Sequence, residues 1–247
     1  MTNSISGQIN SLMTEWSTAH KERGWKCFIS DGVIDDTAYE CASPRICLFL
    51  KEAYSRDNDS DWNLTEWLAA GAMTRMWGTV AEWVYGITNT TPNYIPHKPQ
   101  LNHAEKTEQL KTIAVVNVKK SNGAVQSDYW DLLHYAITDR TFLKRELEII
   151  SPTVIICGNN SSLLRLLYGA KLQTSGKVSA EGEIPYQFMS ENGYAIVGNQ
   201  IILDFYHPAN QYPSILNYYT ICSLYQQALK YKVGDNDVFQ KEQRNTG

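Results

Sequence analysis

Ile46-Cys47-Leu48-Phe49-Leu50 is a run of apolar residues, preceded by Ser43-Pro44 and followed by the charged pair Lys51-Glu52. A short run with no polar alternation reads as a strand covered on both faces, as in parallel sheets sandwiched between helices. Two segments repeat the pattern: Ile113-Ala114-Val115-Val116-Asn117, and Thr153-Val154-Ile155-Ile156-Cys157 behind the break Ser151-Pro152. Tyr194-Ala195-Ile196-Val197 and Ile201-Ile202-Leu203-Asp204-Phe205 flank Gly198-Asn199, a hairpin signal. Helical spacing fills the intervals. Ile9, Leu12, Met13, Trp16 and Ala19 predict a helix over residues 5–21. Further helices are predicted from Thr65 to about Tyr85, Asp131 to Ile150, Ser161 to Tyr168 and about Tyr212 to Tyr231, with a frayed polar tail after Gly234. Asn89 to Leu101 reads as a connector. The order implies an α/β fold: a three-layer αβα domain spanning 1–247 around a central, mainly parallel four-stranded sheet.

Composition narrows the class of protein. The chain has 247 residues, 22 Lys+Arg against 26 Asp+Glu and a formal charge of −4, so any nucleic acid must be met by a local cationic patch. Hydrophobic residues at 43% and charged residues at 19% exclude wholesale disorder. No segment approaches the roughly 18 to 20 apolar residues needed to span a bilayer, and the polar start Met1–Gln8 has no signal core. A cytoplasmic protein without a membrane partner is the expectation. Cys27, Cys41, Cys47, Cys157 and Cys222 are scattered with no C-x-x-C, which argues against a disulfide framework or a metal site.

Several familiar motifs are missing. There is no G-x-G-x-x-G, no P-loop, no G-x-S-x-G, no H-E-x-x-H and no zinc-deaminase signature. Asp57-Asn58-Asp59-Ser60-Asp61 opens like a calcium loop, but Trp62 stands at the turn glycine and Leu68 at the closing glutamate, so a solvated acidic loop is the better reading.

Ligands of parallel sheets bind at the carboxyl ends of the strands, which directs attention to Lys51–Ser55, Asn117–Asn122, Gly158–Ser161 and Tyr206–Gln211. Three features there carry chemistry. Tyr206-His207-Pro208-Ala209-Asn210-Gln211 places an imidazole directly after a buried strand, although a loop histidine can equally serve only its own turn. Lys51-Glu52-Ala53-Tyr54-Ser55 places a carboxylate at another strand end, where the bland reading is a charged terminus. Asn117 closes an apolar strand with an amide that must find partners in the fold or on a ligand.

Together these segments resemble the uracil-DNA glycosylase superfamily, from about Ile46 to Gln211. Ile46 to Ala53 is similar to its first motif, a strand ending Gly-Glu-Ala-Pro-Gly in some families. Val115-Val116-Asn117-Val118-Lys119-Lys120 is similar to Thr-Asn-Val-Val-Lys. Ser151 to Asn159, followed by Leu163 to Gly169, resembles the P-x-x-I-V-x-L-G-x-x-A strand and helix. Tyr206-His207-Pro208-Ala209-Asn210 is similar to the His-Pro-Ser or His-Pro-Ala motif. Lys51, Tyr54 and Ser55 replace Gly, Pro and Gly, which implies a remodelled pocket for a larger or modified base, or lost activity. The family's iron–sulfur cysteines have no counterparts.

The resemblance implies hydrolysis of an N-glycosidic bond after base flipping, without metal or cofactor, by a monomer that meets DNA only at the pocket rim. Under it Glu52 and His207 are catalytic: Glu52 positions water and opposes oxocarbenium-like charge, and His207 donates a hydrogen bond to the departing base. Ala53, Tyr54, Trp62, Asn117 and Asn210 contact substrate, with Trp62 and then Tyr54 as stacking candidates; helix-start packing is an equal reading of Trp62. Lys119, Lys120 and Gln211 meet the DNA, although a lysine pair is commonly just a solvated strand end. Two other readings stand beside this one: a catalytically degenerate nucleic-acid or nucleotide-binding module of the same fold, and a hydrolase of small nucleoside-like molecules.

Overall fold

The computed structural model describes residues 4–54, 60–124, 126–172, 178–182, 187–189 and 193–245. Ser55 and most of the calcium-like segment, Asp57 to Asp59, lie outside them. The first half runs α1 (Ile5–Glu22), β1 (Ile29–Ser30), β2 (Gly32–Val33), α2 (Asp36–Cys41), β3 (Ile46–Glu52), β4 (Trp62–Asn63), α3 (Leu64–Ala69), α4 (Arg75–Asn89), α5 (His103–Lys111) and β5 (Ile113–Lys119). It continues through α6 (Tyr129–Thr138), α7 (Arg140–Ile150), β6 (Val154–Gly158), α8 (Ser161–Leu167), β7 (Ala170–Leu172), β8 (Val178–Gly182), β9 (Gln187–Met189), β10 (Tyr194–Val197), β11 (Gln200–Phe205) and α9 (Ser214–Asn245).

The chain is α/β with a mixed sheet of seven strands in the order β2-β5-β3-β6-β11-β10-β9, larger than the four strands expected. Neighbours β5, β3, β6 and β11 run parallel, while β2 joins β5 antiparallel and β10 joins both β11 and β9 antiparallel. The central strands carry continuous apolar runs because alternate residues serve different layers. Ile46, Leu48, Leu50, Ile113, Val115, Ile156 and Leu203 pack with Val80, Trp83 and Val84 of α4 and with Tyr218, Ile221 and Cys222 of α9. Cys47, Phe49, Ala114, Val116, Ile155 and Cys157 pack with Met13 and Trp16 of α1, Leu143 of α7 and Leu164 of α8.

Two expected helices are each broken in two. Between α3 and α4, Gly71 takes a left-handed φ of +86°, and Thr74 restarts the helix by accepting the Trp77 N–H at 3.4 Å. Between α6 and α7, Asp139 closes one helix and opens the next, its carboxylate held at 2.5 Å by Arg23, which caps the end of α1. Helix α5 carries a reciprocal Asn102–Glu105 capping box, an N-x-x-E signal present in the sequence. Helix α9 continues through the polar tail to Asn245, past Gly234, where Gln240 to Arg244 are strong helix formers.

The order of connections defines the working crevice. From β3 the chain moves outward to β5, then returns past β3 to β6 and on to β11. The strand order therefore reverses between β3 and β6, and ligand crevices form at such switch points, outside the carboxyl ends.

Candidate functional site

His207 emerges from β11 in a tight turn. The Asn210 N–H donates to the His207 carbonyl at 2.9 Å, with Pro208 at the second turn position, where its fixed φ is already correct. Nδ1 of His207 accepts the Ala209 N–H at 3.2 Å. Burial, aided by the nearby Lys51 ammonium, pushes the imidazole pKa down to about 4. The ring is therefore neutral near pH 7, and with Nδ1 accepting, its proton belongs on Nε2. Against this ring lies β6. A Cβ placed on Gly158 would come within 2.8 Å of Leu50 Cδ2 and 3.2 Å of His207 Cδ2, so the strands' ends close up only over a glycine.

Glu52 ends β3 two residues beyond Leu50. Its side chain is nearly covered, at 5% exposure, with Oε2 3.3 Å from Lys119 Nζ and Oε1 accepting the Ala124 N–H at 3.3 Å. Lys119 sits directly across the ladder from Glu52 and also binds Asp131 at 2.6 Å. Gly123 folds back over the carboxylate, its N–H donating to the Ala53 carbonyl at 2.7 Å. A Cβ there would lie 2.5 Å from Glu52 Cγ and 3.0 Å from the Ala53 oxygen. Gly123→Ala is expected to displace Glu52 and lower stability by about 1–3 kcal/mol, the usual cost of overpacking, read by urea unfolding. An unchanged midpoint would show the lid over Glu52 to be loose.

Beside Lys119 opens a cleft of about 420 Å³ walled by Trp25, Ser121, Gly123 and Tyr135. The Ser121 hydroxyl is 2.8 Å from the Tyr135 hydroxyl and 3.1 Å from Nε2 of the buried His20. Ser121 falls inside the Asn117–Asn122 strand end but has no role in the sequence reading, and Gly123 and Tyr135 escaped that reading. Asn122-Gly123 was the available signal, a turn pair directly after a strand.

Other expected site residues stand elsewhere. Lys120 is fully buried, binding Asp31 and, at 2.9 Å, Glu146, with its ammonium 4.8 Å from the Trp16 ring. It has no surface to offer a phosphate. Burial opposes its charge, but Asp31 and Glu146 outweigh that and raise its pKa. Burial, with Asp31 adding to it and Lys120 opposing, pushes the Glu146 carboxyl well above the usual carboxylate range. Asn117 belongs to the same cluster: its backbone N–H and Nδ2 donate to Asp31 Oδ2 at 2.8 and 2.9 Å. That amino group is committed to the fold rather than to a base.

Asn210 is likewise a structural clamp. Its Nδ2 donates to the His207 carbonyl, while its Oδ1 accepts from Tyr212 N and Asn217 Nδ2, at 2.8 to 2.9 Å. Gln211 is exposed, with Nε2 3.3 Å from the Ala209 carbonyl. Trp62 is half-buried against the α4–α9 layer, its Nε1 buried without a partner. Tyr54 is 55% exposed just past Ala53. Backbone pairing thus brings Glu52, Lys119, Gly158 and His207 to one end of the sheet. It leaves Lys120 and Asn117 beneath that end, in the Asp31 cluster.

Comparison of the chain with models of known protein families, with curated proteins and with solved structures returned no match. Fold and site define an α/β protein with a carboxylate and a neutral imidazole at the carboxyl ends of its parallel strands. Among the described residues no helix is long and apolar enough to cross a membrane, and no group of His, Cys, Asp or Glu could hold a metal ion.

Proposed function

We propose that this chain is a DNA glycosylase-type hydrolase, releasing a uracil-type or modified base from DNA by hydrolysing the N-glycosidic bond. The observation that carries the reading is His207: a neutral ring, fixed through Nδ1, with its proton left on Nε2. A base departs as an anion, and a fixed neutral donor aimed at developing negative charge lowers the barrier without first having to lose a proton. The Glu52 carboxylate supplies the opposite sign, opposing positive charge that develops on the sugar. Four contiguous parallel strands within the larger sheet also support a glycosylase-like core. Lys119 stands beside Glu52 at the candidate crevice, whereas Lys120 and Asn117 take no part at the DNA in this proposal.

The test is incubation with labelled single- and double-stranded oligonucleotides carrying uracil, hypoxanthine or modified pyrimidines, followed by alkaline cleavage of abasic sites. Strand scission at the modified position is expected; none across the panel would overturn the proposal. The pH profile is a further test. Because His207 titrates at about 4, its neutral form persists down to about pH 5, and the rate should show no inflection near the ordinary histidine value of roughly 6.5. Below that range, a proton on Nδ1 would face the Ala209 N–H and undo the turn. A rate that halves near pH 6.5 and follows His207 would contradict the neutral-donor role.

Both oxygens of Glu52 are engaged, by Lys119 and by Ala124 N–H. That observation favours the second reading, a binding module of the same fold that holds nucleic acid without cutting it. Binding without base release would select it.

A further inference from the structure

Next to the His207 turn the surface is aromatic. Tyr206 and Tyr212 are 51% and 54% exposed, their ring centroids 5.0 Å apart at an interplanar angle of 52°. The Asn210 clamp holds Tyr212 there, since its Oδ1 accepts the Tyr212 N–H. Exposed aromatic rings offer π-faces on which flat ligands stack. Tyr212 also forms one wall of a groove of about 530 Å³ whose other walls include Arg75, Lys106 and Gln211. Glu82 is the acidic side chain of that groove, and it is already paired with Lys98 at 2.8 Å and lies 4.0 Å from Lys106. The Lys106 side chain lies across Gly78, whose missing Cβ would sit 3.4 Å from its ammonium. The groove is therefore cationic on a chain whose net charge is −4.

We infer that this face binds single-stranded DNA, with unpaired bases stacking on Tyr206 and Tyr212 and the backbone following the groove past Arg75 and Lys106. The inference rests on the glycosylase reading for its biological meaning and adds a strand preference to it. Paired bases in a duplex are already stacked and have no face to offer these rings, whereas every unpaired base does. Because the rings are tilted, each takes a separate base rather than sharing one. Arg75 and Lys106 recognise phosphate irrespective of sequence.

Fluorescence anisotropy with an end-labelled oligothymidine, which contains no target base, tests this directly. The wild-type chain is expected to bind the single strand more tightly than a duplex of the same length. Tyr206→Ala with Tyr212→Ala should weaken single-strand binding by about 30-fold or more, while Tyr206→Phe with Tyr212→Phe keeps it. Arg75→Ala should weaken binding to all sequences and reduce the salt slope by about one. Circular dichroism checks that each variant is folded, as expected for exposed positions. Equal affinity for duplex, no loss in the double alanine variant, or no binding of oligothymidine at all would overturn the inference. So would tyrosine variants that alter only sedimentation behaviour, which would make the face a protein contact. Pairing this titration with the base-release panel on the wild-type chain separates the two proposals: single-strand binding without base release defeats the glycosylase reading alone. Base release without single-strand preference defeats this inference alone.

Discussion

Lys120→Met is expected to lower the unfolding free energy by about 3–5 kcal/mol, the range for removing one partner from a buried ion pair. The side chain is fully buried, as are Asp31 and Glu146. Methionine fills much of the volume but leaves the Asp31 carboxylate in the interior, with hydrogen bonds from Asn117 and no cation. Urea unfolding at neutral pH is the measurement. A variant of wild-type stability that had lost DNA affinity would instead restore Lys120 to the surface. Glu146→Gln provides the control. The Glu146 pKa is raised in the fold, so its contribution is fully present below the unfolded value of roughly 4.3 and is lost as pH rises towards and through the folded value. Wild-type stability should therefore decline as pH rises above about 4.3, and Glu146→Gln should remove that slope.

His207→Ala is expected to slow base release about 10²- to 10³-fold under single-turnover conditions, the usual penalty for deleting one fixed donor to a developing anion. Saturating enzyme isolates the chemical step from binding. Glu52→Gln should have a comparable effect by a different route, because the amide keeps the side chain's shape but loses the negative charge and turns an NH2 towards Lys119 or the Ala124 N–H. The stability cost of His207→Ala should be small, since the ring is only half-buried and one hydrogen bond, from Ala209, is lost. Wild-type rates in both variants would remove these two residues from the mechanism. Loss in one alone would retain that residue and reassign the other.

The strands were legible because burial on both faces writes an unbroken apolar run, as at Ile46–Leu50 and Val154–Cys157. Helix breaks were harder to see. Gly71 and Asp139 look like tolerated interior residues until the left-handed turn at one and the Arg23 ion pair at the other are known. The edge strands β2 and β9 are too short to carry a pattern. At the site, the chain order of Glu52 and His207 could be read directly, but partnership could not. Lys119 and Lys120 are adjacent and chemically identical, yet one meets Glu52 at the strand end and the other disappears beneath it. The deciding residue, Asp31, lies 89 positions away between the two short strands β1 and β2. Gly123 and Gly158 pass for turn residues until the atoms that exclude a methyl group are known.

The placement of β11 next to β6 has a consequence for synthesis of the chain. Glu52 is made early, on a strand that can pair with β5 and then β6 as each leaves the ribosome, whereas His207 follows a strand that ends at Phe205. Non-local parallel pairing is slow to form, and folding proceeds largely from the N-terminus during translation. A nascent chain therefore carries the carboxylate half of its crevice for most of its elongation and gains the imidazole half only near the end. Premature termination anywhere before β11 leaves a polypeptide with half of the proposed chemistry.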